Sequence, residues 1–246
     1  MRVQLDVHRP VLLRRDEGET VFDEPARTLR ILADGDELTL TWFRYEPGES
    51  GPEPHIHKRH TDAFYVLEGE LEFGLGPDVQ KVTGGAGTLA AAPAGVVHTF
   101  RNASDDTAVF LNVHAPSMGF GEMLRARRDG REEDAARFDQ FEPPPDGGRP
   151  LADAIVRRGG QAEPAGDNRV SAREVTLPAG ESAQPPKPAP GGVVGIFVLE
   201  GTLGVRFGDE TLAADAGAFV LLPSVPLAVA ATTGPARYVT IAAPSA

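Results

Sequence analysis

His55-Ile56-His57-Lys58-Arg59-His60-Thr61-Asp62-Ala63-Phe64-Tyr65-Val66-Leu67-Glu68-Gly69 is the stretch on which the fold turns, and it is answered by a second pattern further along the chain. In that second pattern five residues separate Gly87 from Pro93, one precedes Gly95, two precede His98 and three precede Asn102. Side chains alternate along a β-strand, so His55 and His57 point to one face, and another strand can set His98 opposite them. Three neutral imidazole nitrogens and a carboxylate suit one divalent transition metal (Fe, Mn, Ni, Cu or Zn) and leave coordination positions open. Gly69 follows an apolar strand at a turn, and Pro93-Ala94-Gly95 reverses the chain just before His98.

Strict alternation does not bring Asp62 to the face of His55 and His57. A bulge or irregular loop through Lys58-Arg59-His60-Thr61 must shift the phase. His60 shares the parity of Asp62 and competes with it as the fourth ligand. His8 reads as an ordinary hydrogen-bonded histidine. In Phe110-Leu111-Asn112-Val113-His114, alternation puts Asn112 and His114 on one face. They are candidates for the substrate pocket if that face looks inward, and surface residues if the strand is an edge.

The two patterns, the first opening at Gly48, resemble the paired signature motifs of the cupin superfamily. The resemblance implies a β-barrel in which His55, His57 and His98 hold the metal. Asp62 stands where the family usually has Glu, which makes it the expected carboxylate ligand and a candidate catalytic base, with His60 as the alternative.

The motif is repeated in part. A shift of 132 residues aligns Gly48-Glu49-Ser50 with Gly180-Glu181-Ser182 and Val66-Leu67-Glu68-Gly69 with Val198-Leu199-Glu200-Gly201, and a shift of 130 aligns Gly87 with Gly217 and Pro93 with Pro223. A repeat this long is a duplicated domain. Lys187, Ala189, Val194 and Ala228 occupy the places of His55, His57, Asp62 and His98, so the second copy keeps its turns and loses its ligands. Its lining from Gln184 to Pro190 is apolar and proline-rich, as a lid or plug would be.

Between the motifs, Thr39 to Tyr45 reads as a strand after the turn Asp34-Gly35-Asp36. Alternating runs recur at Leu71 to Phe73, Val96 to Phe100, Ala108 to Val113, Val193 to Leu199, Phe219 to Leu222 and Tyr238 to Ile241. Met118 to Phe141 has helical spacing interrupted at Gly130, with Glu133 and Arg137 as an i,i+4 pair. The expected fold is all-β: two tandem cupin barrels of double-stranded β-helix (jelly-roll) type with a short helical connection. The expected domains are 1–142, with the metal site and the helices; a Pro/Gly linker at 143–150; and a degenerate barrel at 151–246.

Composition narrows the roles. The 246 residues carry a formal charge of -12, with a sequence pI of about 4.9, so nothing draws the chain to nucleic acid. There is no cysteine for disulfide or thiolate chemistry. The absence of an apolar run after Met1-Arg2, or of any long apolar segment, leads to the expectation of a bacterial cytoplasmic protein, monomer or homodimer, that binds neither nucleic acid nor membrane.

The whole-chain arrangement resembles the two-domain quercetin 2,3-dioxygenase-like proteins of bacteria. Ala63 to Glu70 and Gly119 to Leu124 carry that likeness. It implies a metal-dependent oxygenase acting with dioxygen on a small electron-rich molecule, flavonol-, phenol- or enol-like. Phe64, Val66, Phe73 and Phe100 are expected as the apolar wall of its pocket, and no basic cluster for phosphate is apparent beyond Lys58 and Arg59. Metal-assisted isomerisation, cyclisation, lyase action or hydrolysis is the alternative, and a non-catalytic small-molecule-binding protein is another.

Overall fold

A computed structural model describes residues 9–158, 169–187, 192–222 and 227–244. His8, Ala189, Pro223 and the end of the proposed 184–190 plug lie outside them. The chain forms two antiparallel β-barrels whose strands follow the sequence repeat closely. Thr39–Tyr45, Thr61–Glu68 and Glu70–Leu75 recur as Ser171–Leu177, Val193–Glu200 and Thr202–Phe207. His98–Arg101 recurs as Ala228–Ala231.

The turns recur with the strands. Gly87 N–H donates to Val66 O at 2.9 Å, and Gly217 N–H to Val198 O at 2.8 Å. Gly69 (φ 68°) and Gly201 (φ 75°) adopt left-handed backbone, and a Cβ on either would come within 2.3–2.4 Å of a carbonyl oxygen, that of Thr107 or Pro235. Only glycine meets both demands without strain.

In the first barrel the large sheet runs in the order Ile155–Arg158, Thr88–Ala92, Thr61–Glu68, Ala108–Ala115, Thr39–Tyr45, Arg27–Asp34, Glu19–Asp23. A smaller sheet of His98–Arg101, Glu70–Leu75 and Gln80–Gly85 closes it. Alternation assigns each strand's residues to two different cores. Phe64, Val66 and Phe110 point inward to one cluster. Ala63, Tyr65, Leu111 and Val113 point outward and pack on Val193, Phe197, Val239 and Ile241 of the second barrel. The second barrel's interior, with Val194, Ile196, Val198, Leu203 and Tyr238, is a third apolar cluster.

The two barrels also exchange strands. Val11–Leu13 pairs with Phe219–Leu222 of the second barrel, while Ile155–Arg158 pairs with Thr88–Ala92 of the first. The Pro/Gly segment between lies against the first barrel, with Arg149 N–H donating to Gly95 O at 2.9 Å.

The region 118–141 contains one α-helix, Phe120–Arg128, and a single 3₁₀ turn, Ala135–Phe138, separated by Gly130 at φ 66°. The expected Glu133–Arg137 pair is present at 3.0 Å. Arg125 ties the helix down, reaching both Glu19 and Asp34 at 2.6 Å. Its Phe120, Met123 and Leu124 thereby cover the mouth of the first barrel. Among the described residues no helix is long and apolar enough to cross a membrane.

Candidate metal centre

His55 and His98 are paired directly: His55 N–H donates to His98 O at 3.1 Å and His98 N–H to His55 O at 2.9 Å. Directly opposed residues of an antiparallel pair share a face, so both imidazoles enter the barrel together. His57 follows on the same face at the end of Ile56–His57. Lys58, Arg59 and His60 then bend the chain before Thr61–Glu68 begins, which supplies the phase shift that alternation requires for Asp62. Gly95, at φ 85° in the Pro93–Val96 turn, donates its N–H to His57 O at 2.6 Å and holds the two motifs together.

His55, His57, Asp62 and His98 are all buried, and their ligand atoms lie within 4.8 Å of one another. Each histidine has its Nδ1 against a backbone carbonyl: Glu53 O at 2.9 Å for His55, Asp139 O at 2.9 Å for His57 and Val96 O at 3.0 Å for His98. A carbonyl only accepts, so each Nδ1 carries the proton and each Nε2 presents a lone pair to the cluster. Nε2 of His57 and of His98 are buried with no hydrogen-bond partner. Such an atom is costly unless something occupies its lone pair. Burial, followed by the neighbouring imidazoles, lowers the His55 pKa to about 3 and that of His57 well below its usual value, so both rings stay neutral.

The two oxygens of Asp62 face different neighbours. Oδ2 lies 3.3 Å from His98 Nε2 and 3.9 Å from His57 Nε2, on the side of the cluster. Oδ1 accepts from the Asn112 side-chain amide and lies 3.6 Å from His114 Nε2. Burial works to raise this carboxyl's pKa, yet His114 and His98 hold it at about 2. The donor set of three neutral nitrogens and one carboxylate can hold a divalent transition metal.

His60 is oriented otherwise. Its Nδ1 meets Asp139 Oδ2 at 2.9 Å and its Nε2 meets His114 Nδ1 at 2.8 Å, so both nitrogens are engaged outside the four-residue cluster. It belongs with His57 and His114 to a neighbouring group. Asp139 is fully buried and accepts from Arg59 N–H as well, at 2.8 Å. No spacing in the sequence pointed to Asp139. It comes from the 3₁₀ turn after the helix, in left-handed backbone at φ 62°, where neither motif reaches.

Asn112 and His114 lie on a central strand, between Thr61–Glu68 and Thr39–Tyr45, and face inward. With His55, Asp62 and Phe100 they line a cavity of about 190 Å³. Phe64, Val66 and Phe73, expected in its wall, belong to the same apolar cluster as the wall residues but do not line the cavity. Their parity was read correctly, but Phe100 packs over Phe64 at 4.6 Å and shields it from the cavity. The actual walls are Leu29, Phe43, Tyr45, Phe100, Phe120, Met123 and Leu124, with His114 stacked on Phe120 at 3.5 Å. Arg27 and Arg127 also line it. They lie far from both motifs in sequence, which is why motif reading passed over them.

In the second barrel Val194 is buried in the apolar interior and Lys187 is exposed. Among the described residues that barrel has no group of metal-ligating side chains.

The sequence and the fold are similar to those of known proteins. Residues 41–114 match the family model described as Cupin domain. The chain is 37% identical over 78 residues to germin-like protein subfamily 2 member 2 of Arabidopsis thaliana, a match covering 30% of this chain and 35% of that relative's length. Solved structures with the same fold include bacterial pirin YhhW in complex with nickel(II) from Escherichia coli (15% identity, TM-score 0.64, covering 97% of this chain and 100% of that one). They also include an oxalate decarboxylase formate complex from Lactobacillus farciminis (14%, TM-score 0.63, 96% and 86%) and protein Ylba from E. coli (11%, TM-score 0.66, 97% and 92%). Residues 41–114 thus match a cupin domain, and the chain as a whole shares the fold of these solved structures.

Proposed function

We propose that this protein is a two-barrel cupin, a metal-dependent oxygenase that holds one divalent transition metal per chain in its first barrel and acts with dioxygen on a small electron-rich molecule. The observation that carries the metal reading is the set of three Nε2 lone pairs, each fixed by an Nδ1–H bond to a backbone carbonyl, converging beside Asp62. The nickel(II) named for YhhW, a protein of the same fold, supports the reading of a bound metal. When bound, the metal supplies a Lewis acid that makes an enolic or phenolic hydroxyl more acidic, together with redox capacity.

The chain's own residues do the rest. Phe43, Phe100, Phe120 and Leu124 exclude water from the cavity and hold an apolar or aromatic body in van der Waals contact. Asp62, whose Oδ1 is kept in place by Asn112, is the carboxylate beside the substrate hydroxyl and the group to which its proton can pass. The cavity of about 190 Å³ is smaller than the ~300–1,000 Å³ of drug-sized ligand sites, which favours a compact phenol or enol over a tricyclic flavonol.

Elemental analysis should give one metal per chain, and His98→Ala should lose it. Asp62→Ala should abolish turnover, whereas His60→Ala retains most of it; the reverse would transfer the role to His60. An oxygen electrode, with protein reloaded with each metal in turn and offered phenols and enols, tests the reaction. Turnover that proceeds equally well under strict anaerobiosis would replace the oxygenase by an isomerase or lyase.

A further inference from the structure

The cavity that opens onto Asp62 has a second polar end built from three separate elements. Tyr45 closes the strand Thr39–Tyr45, Arg27 begins Arg27–Asp34, and Arg127 lies in the last turn of the helix Phe120–Arg128. All three line the same cavity as His55, Asp62 and His114. Tyr45 and His114 mark opposite ends of one strand pair, since Ala108 faces Tyr45 and His114 faces Thr39. The walls between the two polar ends are Phe43, Phe100 and Leu124.

Two of the three, Tyr45 and Arg127, have no side-chain polar partner among the described residues. Tyr45 is 3% exposed, and its hydroxyl makes no hydrogen bond among the described residues. Arg127 is exposed where it lines the cavity, and it makes neither an ion pair nor a side-chain hydrogen bond among them. Partial burial of the guanidinium, followed by the like charge of Arg27, lowers its pKa. Arg27 itself is offset by Glu24 at 3.1 Å and Glu49 at 3.5 Å. That leaves one guanidinium and one phenolic hydroxyl without a side-chain partner, in a cavity whose only carboxylate among the described residues is Asp62.

We infer that Arg127 and Tyr45, backed by Arg27, form a carboxylate-binding subsite, and that the substrate is a small organic acid whose apolar body spans the cavity to Asp62. This rests on the reading of the cavity as the substrate site. A guanidinium fork and a phenolic O–H together satisfy one carboxylate. A single uncompensated positive charge matches a monoanion better than a phosphate dianion.

The test is calorimetric titration of the full chain, metal-loaded and metal-stripped, with 3-phenylpropanoate, its neutral amide and phenyl phosphate. The acid should bind at least about tenfold more tightly than the amide in both forms, the scale expected of one charge-assisted hydrogen bond. Arg127→Gln and Tyr45→Phe should each remove most of that preference without changing metal content or affinity for the amide. Equal binding of acid and amide, binding of neither, tighter binding of phenyl phosphate, or an Arg127→Gln protein with its preference intact would overturn the inference. Failure of the metal reading is distinguishable: the protein would take up no metal while still preferring the acid.

Discussion

The side-chain amide of Asn112 donates to Oδ1 of Asp62 across adjacent antiparallel strands in which His114 stands opposite Asp62 and Asn112 opposite Phe64. The bond fixes which carboxylate oxygen faces the histidines, because Oδ1 is engaged and Oδ2 is left 3.3 Å from His98 Nε2. Asn112→Leu keeps the volume and removes the donor. Metal affinity should fall about 10- to 100-fold, the range for groups that orient a ligand. Chelator competition measures it, and an unchanged affinity would show that Asp62 needs no such support.

Asp139 joins three parts of the site at once. Its carbonyl fixes His57 Nδ1, and its carboxylate binds His60 and the backbone N–H of Arg59. Asp139→Ala leaves a buried donor on His60 and frees the bend that sets the phase of Asp62. The variant should lose roughly 1–3 kcal/mol of stability and should bind metal more weakly. Chemical denaturation alongside metal analysis would separate the two losses, and wild-type values in both would remove Asp139 from the site.

Much of this was legible in the chain. Thr39 to Tyr45 alternates and carries β-branched and aromatic residues, and it forms a strand with those bounds. The 132-residue repeat fixes strand after strand in the second barrel because each glycine turn is sterically required, as at Gly69 and Gly201. The cluster was legible through fixed offsets around His55 and His98.

What escaped has a common cause. Asp139, Arg27 and Arg127 reach the site by tertiary packing, through a left-handed residue, a strand end and a helix end, and no local period marks them. The exchange of Val11–Leu13 and Ile155–Arg158 between the barrels is likewise invisible, since an apolar strand does not specify which sheet edge it joins. Parity placed Phe64 and Val66 inside the barrel but could not say that Phe100 would cover Phe64.

The histidines give the metal-free protein a pH dependence. His55 and His114 have folded pKa values lowered to about 3, chiefly by burial, against about 6.5 for an exposed histidine. Between those limits the unfolded chain binds more protons than the folded one. Stability is therefore full above pH ~6.5 and lost as pH falls toward 3. Urea midpoints of metal-stripped protein should decline across that window, and a His55→Gln, His114→Gln double variant should decline less. Equal slopes for both proteins would place the acid sensitivity elsewhere.

The two barrels should not be separable. Ala63, Tyr65, Leu111 and Val113 on the outer face of the first sheet are buried against Val193, Phe197, Val239 and Ile241 of the second. Tyr65 also donates across this boundary to Glu174. Deleting residues 151–246 would expose that apolar face and strip Ile155–Arg158 from the edge of Thr88–Ala92, leaving a sheet edge open to other chains. The fragment should aggregate. A point variant probes the same interface in the intact chain: Val239 is fully buried, and Val239→Asp sets an unpaired carboxylate there at a cost of at least ~3 kcal/mol. It should lower the melting temperature of the whole protein in one cooperative transition and reduce metal retention on heating. A soluble, metal-binding fragment 1–150, or a Val239→Asp protein whose first barrel melts independently at the wild-type temperature, would show that the second barrel is not needed to hold the first together.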